Sequence, residues 1–149
     1  GPKKEFTPAE LEYLTELDGM NHFALGIEEA SGRERGVGII RMVRSSIEPE
    51  TAEVAIVLID EYQKIGLGTL LLEAIVLAAH ERKIKTLSFS LLPTNQQLVR
   101  LLRKVAPCKQ KMHTHDIVQY VYEMDQIDIK KIKESVSLKI TELSHFPVV

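Results

Sequence analysis

A single α+β domain, built on a mixed but mostly antiparallel central sheet flanked by helices, is what the sequence predicts. Three observations carry this. The first half of the chain holds short apolar segments separated by Gly-, Ser- and Pro-containing turns, the pattern of antiparallel hairpins. A continuous apolar run, Ala52 to Ile59, is then followed by a long apolar helical stretch and a second alternating segment, Leu87 to Leu91. A connection of that length makes the two strands parallel. Finally, 149 residues suffice for one substantial core and no more.

Taken in order, Thr7 suits an N-cap, Pro8 the first helical position, and Leu11, Leu14 and Leu17 share a face, which predicts a helix over 8–17 stopped by Gly19. Residues 22–29 predict a strand, 31–36 a polar hairpin loop and 37–43 the return strand. A turn at 47–50 leads into 52–59, whose unbroken apolar character predicts the central strand, covered on both faces. Residues 67–82 predict a helix buried on most sides, with Thr69, Glu73 and His80 on its one polar stripe. Leu87, Phe89 and Leu91 alternate with Ser88 and Ser90 as a strand, and Leu98, Leu101, Leu102 and Val105 recur at helical spacing until Pro107. Residues 117–122 predict a strand, hairpinned with 108–112 through His113 to Asp116. In the C-terminal extension, 126–149, Ile129, Ile132 and Val136 have helical spacing while Val136, Leu138 and Ile140 alternate, so periodicity leaves 128–143 open.

Nineteen basic and twenty-one acidic side chains leave a net charge of -2, so no overall field draws the chain to nucleic acid or an anionic membrane. One cysteine, Cys108, precludes an internal disulfide. With no membrane-length apolar run and no signal-peptide pattern, the expected compartment is the cytoplasm. Gly1-Pro2 has the look of a tag remnant, which leaves open that residue 3 begins a piece of a longer chain. His113 and His115 lack a third nearby ligand, so no metal is expected, and nothing local to Cys108 argues for a reactive thiol.

The segment Gln63-Lys64-Ile65-Gly66-Leu67-Gly68 lies between the central strand and the apolar helix. A helix starting there offers N–H groups without intrahelical acceptors and the positive end of its dipole, both suited to a phosphate. Glycines at 66 and 68 let an anion approach the backbone, and Lys64 adds charge at the rim. A P-loop would need a Gly-Lys-Ser/Thr ending, and a dinucleotide fingerprint would need a small residue where Leu71 stands. Alone, the two glycines would more often serve only a tight turn.

Their setting changes that balance. The central strand, Asp60-Glu61-Tyr62, the run from Gln63 to Thr69 and the apolar helix together resemble the acetyl-CoA signature of the GNAT acetyltransferase superfamily. The resemblance runs from about residue 22 to residue 124 and includes Asn95 followed by Leu98, Leu101 and Lys104, similar to that family's next cofactor-contacting helix. Within the superfamily, Tyr13-Leu14-Thr15-Glu16-Leu17-Asp18 and His22-Phe23-Ala24-Leu25 resemble the acetyltransferase domain of bacterial protein lysine acetyltransferases. The resemblance implies acetyl-CoA as co-substrate, with main-chain N–H groups from Ile65 to Thr69 on its pyrophosphate, Val57, Leu58 and Ile59 pairing with its pantetheine arm, and Asn95 contacting it. It also implies a splay between strands 52–59 and 86–92. Thr94 or Asn95 equally suits an ordinary N-cap.

An acceptor lysine amine with a pKa near 10.4 is neutral in only about one molecule in a few thousand at pH 7, so a base is required. The resemblance places the catalytic glutamate of the protein-acetylating branch at Glu53, in Ala52-Glu53-Val54-Ala55. There, apolar neighbours would desolvate the carboxylate and raise its pKa toward neutrality, as suits a general base. The plainer reading is a solvated carboxylate or an ion pair with Arg41 or Arg44. The tyrosine that commonly protonates the leaving thiolate in this superfamily is replaced by Leu102, and Tyr120 and Tyr122 more naturally serve packing. The expected activity is acetyl transfer to a protein lysine in a ternary complex. The alternatives are an acyl-CoA-sensing regulatory domain without turnover and an acetyltransferase for a small amine.

Overall fold

The computed structural model describes residues 11–14, 21–29, 36–58, 66–91, 96–105, 110–114 and 116–144. In chain order the elements are β1 (Leu11–Leu14), β2 (His22–Glu29), β3 (Gly36–Arg44), β4 (Thr51–Leu58), α1 (Leu67–Glu81), β5 (Thr86–Leu91), α2 (Gln96–Val105), β6 (Gln110–Thr114), β7 (Ile117–Glu123) and α3 (Ile129–Ser144), with a 3-10 turn at Met124–Gln126 before α3. One seven-stranded sheet takes the order β1-β2-β3-β4-β5-β7-β6, so β4 is its central strand. Among the described strands only β4 and β5 run parallel, joined by the α1 crossover, and the other pairs are antiparallel. The predicted mixed, mostly antiparallel sheet is therefore present, and the last hairpin closes with Thr114 opposite Ile117.

The core lies between the sheet and α1. Along β4, Ala52 and Val54 are buried, and β3 contributes Ile40 and Met42. Leu67, Leu71, Leu72 and Ile75 of α1 are almost wholly shielded, each burial favouring the fold by roughly 1.5–3 kcal/mol. Phe89 and Tyr122 meet edge to face with ring centroids 5.6 Å apart. The C-terminus of α1 is closed by a Schellman pair of bonds, from the Ile84 N–H to the Ala79 carbonyl and from the Lys83 N–H to the His80 carbonyl. This places Lys83 at φ 60, in the left-handed region where glycine is the usual occupant.

Two expectations are corrected, and one segment that periodicity left open takes a definite form. The predicted helix over 8–17 is not formed at Leu11–Leu14, which is a strand pairing with β2 from Leu11↔Glu29 to Leu14↔Gly26; the rest of 8–17 lies outside the described residues. A ten-residue helix has little stability of its own, whereas the edge of β2 offers a row of backbone groups in need of partners. Second, β4 is not covered on both faces: Glu53, Ala55 and Val57 are exposed, Val57 by 65%. An apolar run shows that a strand avoids water on one face, and Ala and Val on the other are no evidence of a covering layer. The open segment, 128–143, is helical from Ile129 onward. The Asp128 carboxylate accepts from the Lys131 N–H at 3.1 Å, an N-cap that selects the helical spacing of Ile129, Ile132 and Val136 over the strand-like alternation. Leu138 and Ile140, which the alternation would have buried, are exposed.

The extension is tied into the body of the domain. Ile127 and Ile132 belong to the core, and Val136 packs against it. On α1, buried Glu73 accepts from Lys139 Nζ at 2.7 Å and from Ser135 Oγ at 3.0 Å, both from α3. Among the described residues no helix is long and apolar enough to cross a membrane.

Candidate active site

The sheet opens at its centre. The parallel pairing of β4 with β5 runs only from Thr51↔Thr86 to Val54↔Phe89, although β4 continues to Leu58 and β5 to Leu91. Beyond Val54 and Phe89 the strands form a fork, the splay that the family resemblance implied. Because β4 leads toward α1, the open end of the fork faces the start of that helix.

At that start, Gly66 is the N-cap with φ 81 and ψ 5, and its carbonyl accepts the first helical bond from Leu70 at 3.1 Å. The left-handed backbone explains glycine here, and a Cβ would meet nothing within 4 Å. The turn requirement and an anion-binding role are thus compatible. Gly66 brings no side-chain cap and no acidic residue stands in the first turn, so among the described residues nothing offsets its N–H groups or the dipole. Leu67 and Gly68 are buried and Thr69 is half-buried. Gln63, Lys64, Ile65, Ile59 and Asn95 lie outside the described residues, whereas Val57 and Leu58 form the last residues of β4, on the arm of the fork.

Glu53 stands at the crotch, opposite Ser88 in the register and one position before the last pair. Its surroundings differ from the expectation: the side chain is exposed, and its partner among the described residues is the Ser90 hydroxyl, which donates to Oε1 at 3.1 Å. Neither Arg41 nor Arg44 pairs with it. The Arg44 guanidinium donates instead to the Pro49 carbonyl at 2.5 Å and the Arg82 carbonyl at 2.9 Å. The apolar run around Glu53 misleads because neighbouring residues of a strand point to the opposite face. On the β5 side its surface neighbours are polar, while Val43 of β3 stands opposite it on the other. Gln119 Nε2 donates to Ser88 Oγ at 2.5 Å, and Thr86 Oγ1 donates to Glu123 Oε1 at 3.3 Å. Ser88, Ser90 and Gln119 were not singled out from the sequence. The available signal was the alternation of Ser88 and Ser90 with Leu87, Phe89 and Leu91, which puts both serines on the face of Glu53 once the strands are parallel and in register.

Tyr120 and Tyr122 point to the other, buried face with Phe89, in keeping with packing. Leu102 is 3% exposed and lines a small apolar space with Leu72, Val76, Leu87, Phe89, Tyr122 and Ile127. No group of three His, Cys, Asp or Glu residues able to hold a metal occurs among the described residues; His115, Cys108 and the side chain of His113 lie outside them. A separate cleft of about 840 Å³ lies at the far end of α1 from Gly66, lined among others by His80, Lys83, Lys85, Met124 and Ile129. At its rim Lys85 pairs with Glu50 at 2.9 Å, and the hydrogen bond and charge of Glu50 raise the Lys85 pKa above its ordinary value.

Comparison with known proteins bears on this geometry. Residues 3–106 match the family described as Acetyltransferase (GNAT) domain. Among solved structures the chain is similar to the GNAT domain of S. lividans PAT, with 21% identity and a TM-score of 0.60 over 72% of this chain and 63% of that one. It is also similar to the cAMP-binding acyltransferase from Mycobacterium smegmatis, at 20% identity and a TM-score of 0.60 over 87% of this chain and 42% of that one. A Salmonella typhimurium protein solved with its cofactor acetyl-CoA is 18% identical, with a TM-score of 0.58 over 70% of this chain and 66% of that one. At these identities the structural likenesses speak to fold, and the chain spans about 63% and 42% of the length of the first two. The family match, by contrast, covers more than half of the sequence: the chain belongs to the GNAT acetyltransferase family.

Proposed function

We propose that this domain transfers the acetyl group of acetyl-CoA to a protein lysine amine by direct attack in a ternary complex, with Glu53 as general base. The observation that carries the reading is the fork: a carboxylate at its crotch, and at its open end a helix whose first turn holds, among the described residues, no side-chain cap and no acidic residue. In this reading the N–H groups at Ile65 to Thr69 hold the pyrophosphate, with Gln63, Lys64 and Asn95 around it. The arm formed by Val57, Leu58 and Ile59 pairs with the pantetheine amides, a strand-addition contact. Glu53 takes one proton of the lysine ammonium, the neutral amine nitrogen bonds to the acetyl carbon, the carbon–sulfur bond breaks, and the second proton lost by the nitrogen passes, through water, to the departing thiolate. The exposed face of β4 favours a protein acceptor, since a lysine on a surface reaches Glu53 without entering a closed pocket. The chemistry suits the cytoplasm, where acetyl-CoA is at hand.

One observation favours a second reading. Leu102, at the position where the family commonly has its acid, is a core residue with no proton to give. A domain that binds acyl-CoA to regulate a larger protein would need none. Free-thiol release from acetyl-CoA against proteins, peptides and small amines separates the readings. Turnover with proteins supports the proposal and turnover with small amines alone replaces its acceptor. Binding without turnover supports the regulatory domain.

A further inference from the structure

We propose that Ser90 is the residue that positions Glu53 for proton abstraction; the inference rests on the reading of Glu53 as the base. Glu53 lies on an exposed face, where a glutamate side chain has several rotamers open to it. Ser90 supplies the choice. It is the first residue of β5 past the last paired position, Phe89, and it sits on the Glu53 side of the sheet. Its hydroxyl reaches across the base of the fork to Oε1 at 3.1 Å. A serine hydroxyl has one proton to donate, and here it goes to Glu53. With Oε1 held, Oε2 has no partner among the described residues and is the oxygen left to receive the amine proton. The next serine on this face, Ser88, is held differently, as the acceptor of the Gln119 amide at 2.5 Å. The two serines thus divide their roles, one bound toward β7 and the other toward β4. Ser90 is half-buried outside the core cluster, so its hydroxyl is not needed to fill the interior.

The test compares wild type, Ser90→Ala, Ser90→Thr, Glu53→Gln and the double variant Ser90→Ala/Glu53→Gln by thiol release, using acetyl-CoA and the acceptor of the panel that turns over fastest. A hydrogen bond of ordinary net strength corresponds to about a fivefold fall in kcat for Ser90→Ala. The KM for acetyl-CoA should stay within about twofold, and Ser90→Thr, which keeps the hydroxyl, should restore the rate. In the Glu53→Gln background the loss should vanish, because positioning a residue that no longer accepts a proton has no value. A wild-type rate in Ser90→Ala, an equal loss in both backgrounds, or failure of threonine to restore the rate overturns the proposal. If Glu53→Gln itself keeps the full rate, or if no acceptor turns over, the reading of Glu53 as base falls first and the inference with it. Circular dichroism melting of each variant confirms that the comparison is made on folded protein.

Discussion

Replacing Lys139 by methionine keeps the packing of the side-chain stem on α1 but removes the ammonium that Glu73 accepts at 2.7 Å. Glu73 is then left with the Ser135 hydroxyl at 3.0 Å in a site where its side chain is only 8% exposed. Breaking one partner of a fully buried pair typically costs about 3–5 kcal/mol. The Lys139 side chain, however, is 28% exposed, so water reaches part of the vacated space and the expected cost is about 2 kcal/mol. With a urea m-value of about 2 kcal/mol per M, the unfolding midpoint should fall by about 1 M. Replacing both members, Glu73→Met with Lys139→Met, removes the stranded charge as well and should return to within about 1 kcal/mol of wild type. Urea titrations followed by far-UV circular dichroism read both effects. A loss below about 0.5 kcal/mol in Lys139→Met, or a double variant weaker than the single one, would refute the argument that the buried carboxylate sets the cost.

Other outcomes follow from single sites. Glu53→Gln should lower turnover at neutral pH by about 100-fold or more, the usual range for a lost general base, and leave acetyl-CoA affinity by calorimetry nearly unchanged; an unaltered rate eliminates the assignment. Gly66→Ala should cost about 1–2 kcal/mol from φ 81 alone, since its Cβ meets no atom; a chemical denaturation series that shows no loss would mean that the turn relaxes. Lys83→Gly, at φ 60 in the Schellman turn, should stabilise the domain by roughly 0.5–1 kcal/mol in the same assay. The raised Lys85 pKa means that its pairing supports the fold fully below the unfolded-state value and that this support is lost as pH climbs through the folded value. Glu50→Gln should bring the Lys85 titration, followed by NMR, back down toward 10.5.

What the sequence conveys about this fold depends on how local the cause is. The hairpin of β6 and β7, the long helix α1 and the central place of β4 all rest on periodicity and turn residues within a few positions of one another. The strand at Leu11–Leu14 rests instead on pairing with residues 26–29, and a helix-like leucine spacing carries no trace of that partner. Asp128 was a usable local signal for α3, because a carboxylate before Ile129 caps a helix but does nothing for a strand. At the site, the glycine at 66 is legible from its own backbone demand. The environment of Glu53 is not, because it is set by Ser90 across a parallel pairing whose register no spacing announces. The same holds for Glu73, whose lysine partner lies 66 residues away.

The fork has a consequence for how the domain breathes. In most sheets the central strand carries the most protected amides and the rim the least. Here β4 is central by position, yet from Ala55 to Leu58 its one paired neighbour among the described residues is β3. Amide groups alternate along a strand, so those directed at β3 are locked while the intervening ones have the freedom of an edge. The weakest hydrogen-exchange protection of the sheet thus extends into its middle, and an extended chain of amides seated there would complete a strand rather than cover a surface.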